Sequence, residues 1–346
     1  MATKHVPSLD GLRAMSILPV LWHHSTPRPL EGILGRGPLG VDLFFAISGF
    51  LITTLLVREQ RTHGQVSLKN FYVRRGLRIF PLHYAVLGLY VLRALFFMPD
   101  SPARSHFLHN LPWFATYTSN WFVNFNVPHP VVFAFAWSLA TEEQFYMVWP
   151  GVVALTRGWQ LPVAFMTSLL ALDQLAEHGL LVSILPWESL ATRMLTSIAT
   201  PICLGSLLAY ALDRPRPFKL LALVLGHRGS APAALAILLA LIAVDNAPLL
   251  AIHAAMTALV GAVSLRPDHG LRWLTDLRPV RYLGVISYGI YLLHVSSITA
   301  TKMLLPEPWK TAPLIFLIAS LATVAIAAVV HRFFEQPFLA LRGKFR

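Results

Sequence analysis

Long apolar runs recur along the whole chain, and they constrain its fold more than any other feature. Runs such as 231–244 and 314–330 contain no charged residue. The 346 residues are 55% hydrophobic and only 13% charged, whereas a soluble domain usually carries about 25% charged residues. One soluble core could not bury so many apolar runs. The sequence therefore predicts an integral membrane protein whose surroundings are the lipid bilayer.

The apolar runs also predict the architecture. A helix needs about 20 apolar residues to cross the hydrocarbon layer, and the predicted fold class is all-α: a polytopic transmembrane helix bundle that forms a single domain over residues 1–346. The apolar segment 107–125 is interrupted by one proline and several asparagines, so it is predicted to be interfacial or re-entrant. About ten spans are predicted, near residues 8–26, 38–56, 79–97, 137–155, 160–174, 194–212, 231–245, 248–265, 283–304 and 312–334.

The distribution of charge predicts the orientation. Most of the 28 lysines and arginines fall in short loops on the same side as the N-terminus, and the positive-inside rule then predicts that both termini are cytoplasmic. Short basic loops of this kind do not form a nucleic-acid-binding face, despite the net charge of +12. Cys203, the single cysteine, lies in an apolar run, so neither a disulfide framework nor a cysteine metal site is expected.

The first predicted span carries polar residues that membrane spans rarely contain. Arg13 and His24 are eleven residues apart, so on a helix they share a face and are separated by about 16 Å along the axis, whereas His23 is rotated by about 80° from that line. Arg13 would lie near the cytoplasmic headgroups and His24 near mid-depth. A functional role is the default hypothesis for an intramembrane histidine; the alternative is that Arg13 reaches the interface and His24 only bonds within the bundle. Because Arg13 interrupts the apolar stretch and no small-residue cleavage site follows, we expect this span to be retained rather than cleaved as a signal peptide.

Further polar residues lie at membrane depth in the second and ninth predicted spans. Asp42 would either orient a histidine on a neighbouring helix or pair locally. Ser287, Tyr291 and His294 fall on one helical face, which brings a second histidine near mid-depth. Two such histidines on different helices favour a functional site over a structural role.

One charged motif precedes the third predicted span, and another lies in the first turns of the fourth. Arg74, Arg75 and Arg78 lie within one helical turn of each other, which suits either a ligand with several phosphates or a purely topological role. The adjacent acids Glu142 and Glu143 point about 100° apart on a helix. One of them could face the bundle and the other the outer interface, or either could form a structural ion pair.

Taken in order, these motifs resemble those of the acyltransferase 3 family of integral membrane proteins, over the stretch from Ser8 to about Pro337. The resemblance includes the family's spacing of an Arg or Lys, ten residues and a His, which Arg13 and His24 fulfil. It also includes the stretches "GVDLFFAISGFLI", "FYVRRGLRIFP", "WSLATEEQFY", "ISYGIYLLH" and "FEQP". The sequence ends at Arg346 without the fused extracytoplasmic domain that some members carry, so we expect a stand-alone member.

The resemblance implies transfer of an acyl group, commonly acetyl, from cytoplasmic acyl-CoA to a hydroxyl of a carbohydrate, polysaccharide or glycosylated acceptor, in the bacterial inner membrane. Such a reaction needs a base for the hydroxyl proton, and a neutral imidazole with a pKa of about 6.5 suits that task. No nucleic acid or metal is expected to take part. The expected catalytic residues are His24 as general base, with Arg13, Asp42, Glu143 and His294. The expected acyl-CoA-binding residues are Arg13, Arg74, Arg75 and Arg78, and the expected acceptor-binding residues are Glu142, Ser287, Tyr288 and Tyr291.

Two other classes of protein fit parts of the sequence. A transporter or flippase for a sugar-containing or anionic substrate could use the same Arg, His and Asp residues, although no inverted repeat is evident. An intramembrane serine hydrolase could use Ser48 with His294, although Ala46 stands where the usual nucleophile motif has its first glycine.

Overall fold

The computed structural model describes residues 6–26, 32–156, 158–181, 184–186 and 189–345, which form helices and no β-strand. This confirms the all-α fold class. Short 3₁₀ turns at Glu307–Trp309 and Arg342–Phe345 and a π turn at His331–Glu335 accompany the α-helices. Within the described ranges the α-helices are α1 (Pro7–Ser25), α2 (Gly32–Gly35), α3 (Leu39–His63), α4 (Leu68–Phe96), α5 (Pro102–His109), α6 (Leu111–Ala115), α7 (Ser119–Phe122), α8 (Ala136–Leu155), α9 (Gln160–Glu177), α10 (Leu190–Thr196), α11 (Thr200–Asp213), α12 (Pro215–Leu225), α13 (Ser230–Ala243), α14 (Leu249–Leu265), α15 (Arg272–Thr275), α16 (Arg278–Val285), α17 (Ser287–Leu304), α18 (Ala312–Val330) and α19 (Gln336–Leu341).

Each predicted span coincides with helical structure, but the boundaries differ in informative ways. Helix α4 begins at Leu68, so the arginine motif expected before the third span belongs to the same continuous helix. The sixth predicted span falls on two helices, α10 and α11. The ninth is also made of two helices, α16 and α17, with a bend of 75° between them. The segment predicted to be interfacial or re-entrant consists of the short helices α5, α6 and α7.

Length and composition identify several helices that could cross a membrane. Three candidates within the described ranges are Leu39–His63, Leu68–Phe96 and Ala312–Phe345, and the number rises to six if each of three bent helix pairs is one span. These helices support a multi-pass membrane protein. The count of ten spans and the cytoplasmic orientation of both termini stay predictions, and residues 1–5 and 346 lie outside the described residues.

The chain divides into two compact units. The first unit comprises Met1–Leu55 and Thr200–Phe334, and the second comprises Leu56–Ala199 and Glu335–Arg346. One of the boundaries falls inside α3. The prediction of a single domain is not tested by this division.

In the first unit, the backbone of α1 lies in direct contact with the backbones of neighbouring helices. A Cβ atom at Gly284 of α16 would overlap the backbone oxygen of Asp10, and a Cβ atom at Gly40 of α3 would overlap that of Ser16. Glycine allows two helix backbones to approach this closely within a membrane. A buried apolar cluster from α1, α3, α11, α13 and α14 fills the space beside these contacts.

The second unit is packed mainly by aromatic rings. His83 of α4 is fully buried, and its ring centroid lies 4.3 Å from that of Tyr117. Tyr90 meets Phe133 edge-on at 5.0 Å. Rings in such offset or edge-on pairs contribute beyond the apolar area they bury, so α4 is anchored by side chains rather than by backbone contact.

Candidate active site

Helix α1 carries the two residues that the spacing of the sequence singled out. Arg13 and His24 both lie within the one helix Pro7–Ser25, which also contains Pro19. The Arg13 guanidinium lies 3.8 Å from the Asp10 carboxylate, and both side chains are about 90% buried. A buried charge needs such a partner, so Asp10, which sequence reasoning did not select, is part of the local arrangement.

The two histidines that were predicted to lie at mid-depth come together. The ring centroids of His24 on α1 and His294 on α17 are 4.7 Å apart, and the rings are nearly perpendicular. His294 has no solvent-exposed surface. The ring of His23 lies 5.3 Å from that of His24, while its Cβ atom is directed toward Gly37. The pairing therefore involves the histidine that shares a helical face with Arg13.

Backbone contacts specify the tautomers of both rings. Nδ1 of His24 lies 3.0 Å from the Val20 carbonyl oxygen, and Nδ1 of His294 contacts the Tyr291 carbonyl oxygen. A carbonyl oxygen can only accept, so in each neutral ring Nδ1 carries the proton and Nε2 carries the lone pair. The Nε2 atom of His24 is thus set up chemically to accept a proton.

The other residues predicted on α17 have different surroundings. The Tyr291 ring lies 5.4 Å from the His294 ring, centroid to centroid. The buried Ser287 hydroxyl donates to the Gly284 carbonyl oxygen at 2.8 Å, at the bend between α16 and α17. Tyr288, one residue further, is partly buried. Of these predicted acceptor-binding residues, the structure brings Tyr291 to the histidine pair and places the Ser287 hydroxyl at the bend.

Asp42 pairs with a histidine that the sequence analysis did not select. Its Oδ2 atom lies 3.2 Å from Nε2 of His253 on α14, and the two side chains are 23% and 8% exposed. The alternative in which Asp42 orients a histidine on a neighbouring helix matches this contact. A lone polar residue in the apolar run "LLAIHAAM" was the signal that could have identified His253.

In the second unit, one predicted donor-binding residue meets one predicted acceptor-binding residue. The Arg75 guanidinium lies 3.8 Å above the centroid of the Tyr146 ring and 3.9 Å from the Glu142 carboxylate. The Tyr146 hydroxyl donates to that same carboxylate. Arg75, Tyr146 and Glu142 therefore form one cluster, and Tyr146 is a member that sequence reasoning missed.

The remaining charged residues of the second unit differ in their burial. Arg74 lies 3.5 Å from the Glu59 carboxylate, and its Nη1 atom donates to the Phe345 carbonyl oxygen at 2.6 Å. Arg78 is partly buried on the same helix. Glu143 is only 5% exposed, unlike Glu142, so the two adjacent acids occupy different environments.

Side chains that could hold a metal ion do not cluster: within the described ranges no three His, Cys, Asp or Glu residues come together suitably.

Comparison with known proteins gives a class of activity for the chain. A family model described as an acyltransferase domain matches residues 6–332. This match favours neither a transporter nor a serine hydrolase. No solved structure matches the chain.

Several bacterial proteins are similar to this chain over nearly all of its length. Peptidoglycan O-acetyltransferase OatA of Listeria monocytogenes is 29% identical over 96% of the chain and 56% of its own length. A putative O-acetyltransferase of Staphylococcus aureus strain COL is 28% identical over 97% of the chain and 57% of its own length. Putative peptidoglycan O-acetyltransferase YrhL of Bacillus subtilis is 26% identical, over 96% and 55% respectively. The chain thus spans just over half the length of these relatives.

The family model covers nearly the whole chain, and the similar proteins carry O-acetyltransferase names. The chain belongs to the acyltransferase 3 family.

Proposed function

We propose that the chain is a membrane O-acyltransferase that transfers an acyl group, most simply acetyl, from acyl-CoA to a hydroxyl of a carbohydrate acceptor. The observation that carries this proposal is the contact between His24 and His294, because it joins two intramembrane histidines whose Nε2 atoms both carry the lone pair of the neutral ring. Family membership supplies the class of reaction.

His24 acts as the general base. Its Nε2 atom takes the proton of the acceptor hydroxyl as the hydroxyl oxygen attacks the carbonyl carbon of the thioester. The carbon–sulfur bond then breaks, and the departing thiolate recovers the proton from the His24 imidazolium. The products are an ester and free CoA. General base catalysis of this kind contributes about a hundred- to ten-thousand-fold in rate.

His294 positions the base. Its ring is fully buried and is fixed by its hydrogen bond to the Tyr291 carbonyl oxygen. It therefore limits the movement of the His24 ring that packs against it. A catalytic group that is held by rigid neighbours stays closer to its productive orientation than a mobile one does. His294 and Tyr291 therefore contribute through the orientation of His24.

Arginines contribute the contacts with the phosphates of the donor. The distances from Arg74 and Arg75 to their acidic partners are 3.5 and 3.9 Å, longer than the 2.7–2.9 Å of a tight charge-assisted bond. The Nε atom of Arg75 is buried with no hydrogen-bond partner among the described residues. Both guanidinium groups thus retain donor capacity that a phosphate would use. We propose the same role for Arg78 and Arg13.

The acids and the remaining polar residues act on the acceptor side of the reaction. We propose roles in acceptor binding for Asp42, through its pair with His253, and for Glu143, and we propose that Glu142, Ser287 and Tyr288 each contribute polar contacts with the acceptor. Two relatives are named for peptidoglycan, which supports a cell-envelope polysaccharide as acceptor. The bacterial cytoplasmic membrane is the proposed location.

A strain-level comparison tests the proposal. Glycans of a deletion strain would be compared by mass spectrometry with those of the same strain carrying the wild-type chain or the His24→Ala variant. We expect base-labile acetyl esters to disappear on deletion, to return with the wild-type chain and to stay absent with the variant. An unchanged ester content in all strains would refute the proposed function.

A further inference from the structure

The C-terminal segment of the second unit lies against the arginine motif of α4. Helix α19 and the following 3₁₀ turn, Arg342–Phe345, both pack on α4. The Arg74 guanidinium bonds directly to the Phe345 carbonyl oxygen at 2.6 Å. Arg342 is partly buried in this contact, whereas Lys344 is exposed. In the sequence alone, these basic residues fit the positive-inside pattern.

Arg342 adds a further positive charge at this contact. It lies close enough to Arg75 and Arg74 for both cations to repel it. Glu59 lies beside Arg74, and Glu142 and Glu143 both attract Arg75, whereas no ion pair joins Arg342 to a carboxylate among the described residues. Arg342 is therefore a partly buried cation beside two others, and like charges are costly in such a place.

Hydrogen-bonding capacity is also left over. The Nε atoms of both Arg75 and Arg342 are buried and have no hydrogen-bond partner among the described residues. A buried donor without an acceptor destabilises the protein. An anion with several oxygen atoms would supply acceptors to both groups and would reduce their mutual repulsion.

We propose that Arg342 is a further phosphate-binding residue, which acts with Arg74 and Arg75 on a phosphate group of CoA. The inference rests on the proposed function, since CoA is the polyphosphate that the proposed reaction requires. The planar guanidinium fork matches phosphate oxygens in pairs, and two such groups from different segments can hold one phosphate from two sides. The C-terminal turn is thus part of the donor site.

Binding measurements on the full chain in detergent test this inference. The probe is CoA, titrated calorimetrically into the wild-type chain and into Arg342→Gln, Arg342→Lys and Lys344→Gln. The last variant is the matched control, because it removes one positive charge from the same turn at an exposed position. We expect the Kd for CoA to rise about ten-fold in Arg342→Gln, less in Arg342→Lys, and less than two-fold in Lys344→Gln.

A stability measurement separates binding from a purely structural role. In the absence of CoA, Arg342→Gln should melt at the same temperature as the wild-type chain or higher, because one of three repelling cations is gone. A lower melting temperature with unchanged CoA affinity would overturn the inference and leave Arg342 as a structural residue.

Two further arms identify the source of the phosphate. In nanodiscs with and without phosphatidylglycerol, a lipid dependence that Arg342→Gln abolishes, with CoA affinity unchanged, would overturn the inference in favour of a headgroup site. Binding of inorganic phosphate to the wild-type chain, without CoA binding to any variant, would overturn both the donor assignment and this inference. If CoA binds to the wild-type chain and binds more weakly to Arg342→Gln, both the donor assignment and the role of Arg342 are supported.

Discussion

The two units differ in how their helices pack and in which chemical groups they hold. In the first unit, glycines bring the backbones of α1, α3 and α16 into contact. Its notable polar groups are histidines bonded to carbonyl oxygens or to a carboxylate, together with the buried Arg13–Asp10 pair. In the second unit, aromatic rings separate the helices, and Gly88 of α4 has no atom close to the position of a Cβ. Its notable polar groups are arginines and glutamates.

This difference fits the separate demands of the proposed reaction. A general base requires close control of position, because a shift of about 1 Å can cost a hundred-fold in rate. Backbone contact through glycine leaves little freedom for such a shift. Phosphate binding by long, charged side chains tolerates more movement. We therefore expect His24 of the first unit to govern turnover and the arginines of the second unit to supply most of the affinity for the donor.

The largest effect is expected at His24. His24→Ala should lower kcat by about a hundred- to ten-thousand-fold, since the acceptor hydroxyl would lose its base, and His23→Ala should be far milder. Transfer of labelled acetyl from acetyl-CoA by the full chain in proteoliposomes would measure both. Equal losses in the two variants would show that the pairing with His294 does not select the base.

The next effect is expected at Arg75. Arg75→Gln should raise the KM for acyl-CoA about ten- to a hundred-fold with little change in kcat, because a charge-assisted contact contributes about 1.5–3 kcal/mol and lies away from the reacting carbon. Arg93→Gln, which removes the same charge from the last turn of the same helix, is the control. A fall in kcat at constant KM would place Arg75 in the chemistry and would break the division between the units.

A smaller effect, on stability, is expected at Gly284. Gly284→Ala should lower the free energy of unfolding by about 1–3 kcal/mol, the usual cost of overpacking, because its Cβ would meet the Asp10 backbone. Gly88→Ala should instead stabilise the chain by about 0.5–1 kcal/mol, since a helical alanine there meets open space. Urea unfolding followed by circular dichroism would compare them. Similar effects of the two variants would show that backbone contact does not distinguish the units.

The smallest effect is expected at the Asp42–His253 pair. Asp42→Asn and His253→Gln should each destabilise the chain, and the double variant should show a coupling energy of about 1 kcal/mol, because residues in contact are not additive. Thermal unfolding of the three variants measures that coupling. Additive effects would mean that the 3.2 Å contact contributes nothing to stability, and the role of Asp42 would then have to be sought in acceptor binding alone.

The sequence predicted the positions of the helices and some of the residues that meet in the first unit. Apolar runs locate helices because a helix that crosses a bilayer needs about 20 predominantly apolar residues, and helical geometry alone placed Arg13 and His24 on one face. Helix spacing also predicted a similar depth for His294. That the rings of His24 and His294 touch could not be derived from spacing, because it depends on how α17 packs against α1.

What the sequence did not reveal has a common physical cause. The pairs Asp42–His253 and Arg75–Glu142 join residues far apart in the chain, and no local pattern encodes such a partner. The bend between α16 and α17 occurs at Ile286. No proline stands at that position, so nothing in the sequence signalled the bend. Arg342 was indistinguishable from a topological charge until its packing against α4 was known.

The bend at Ile286 also bears on how the chain responds to membranes of different thickness. Its two arms contact α1 at different levels: Gly284 of α16 meets Asp10 near the start of α1, and His294 of α17 meets His24 near its end. Sliding α1 by one turn, about 5.4 Å, would break both contacts at once. A thicker or thinner bilayer would therefore be accommodated by tilting or by lipid deformation, and the depth of His24 relative to His294 would not depend on the length of the lipid chains.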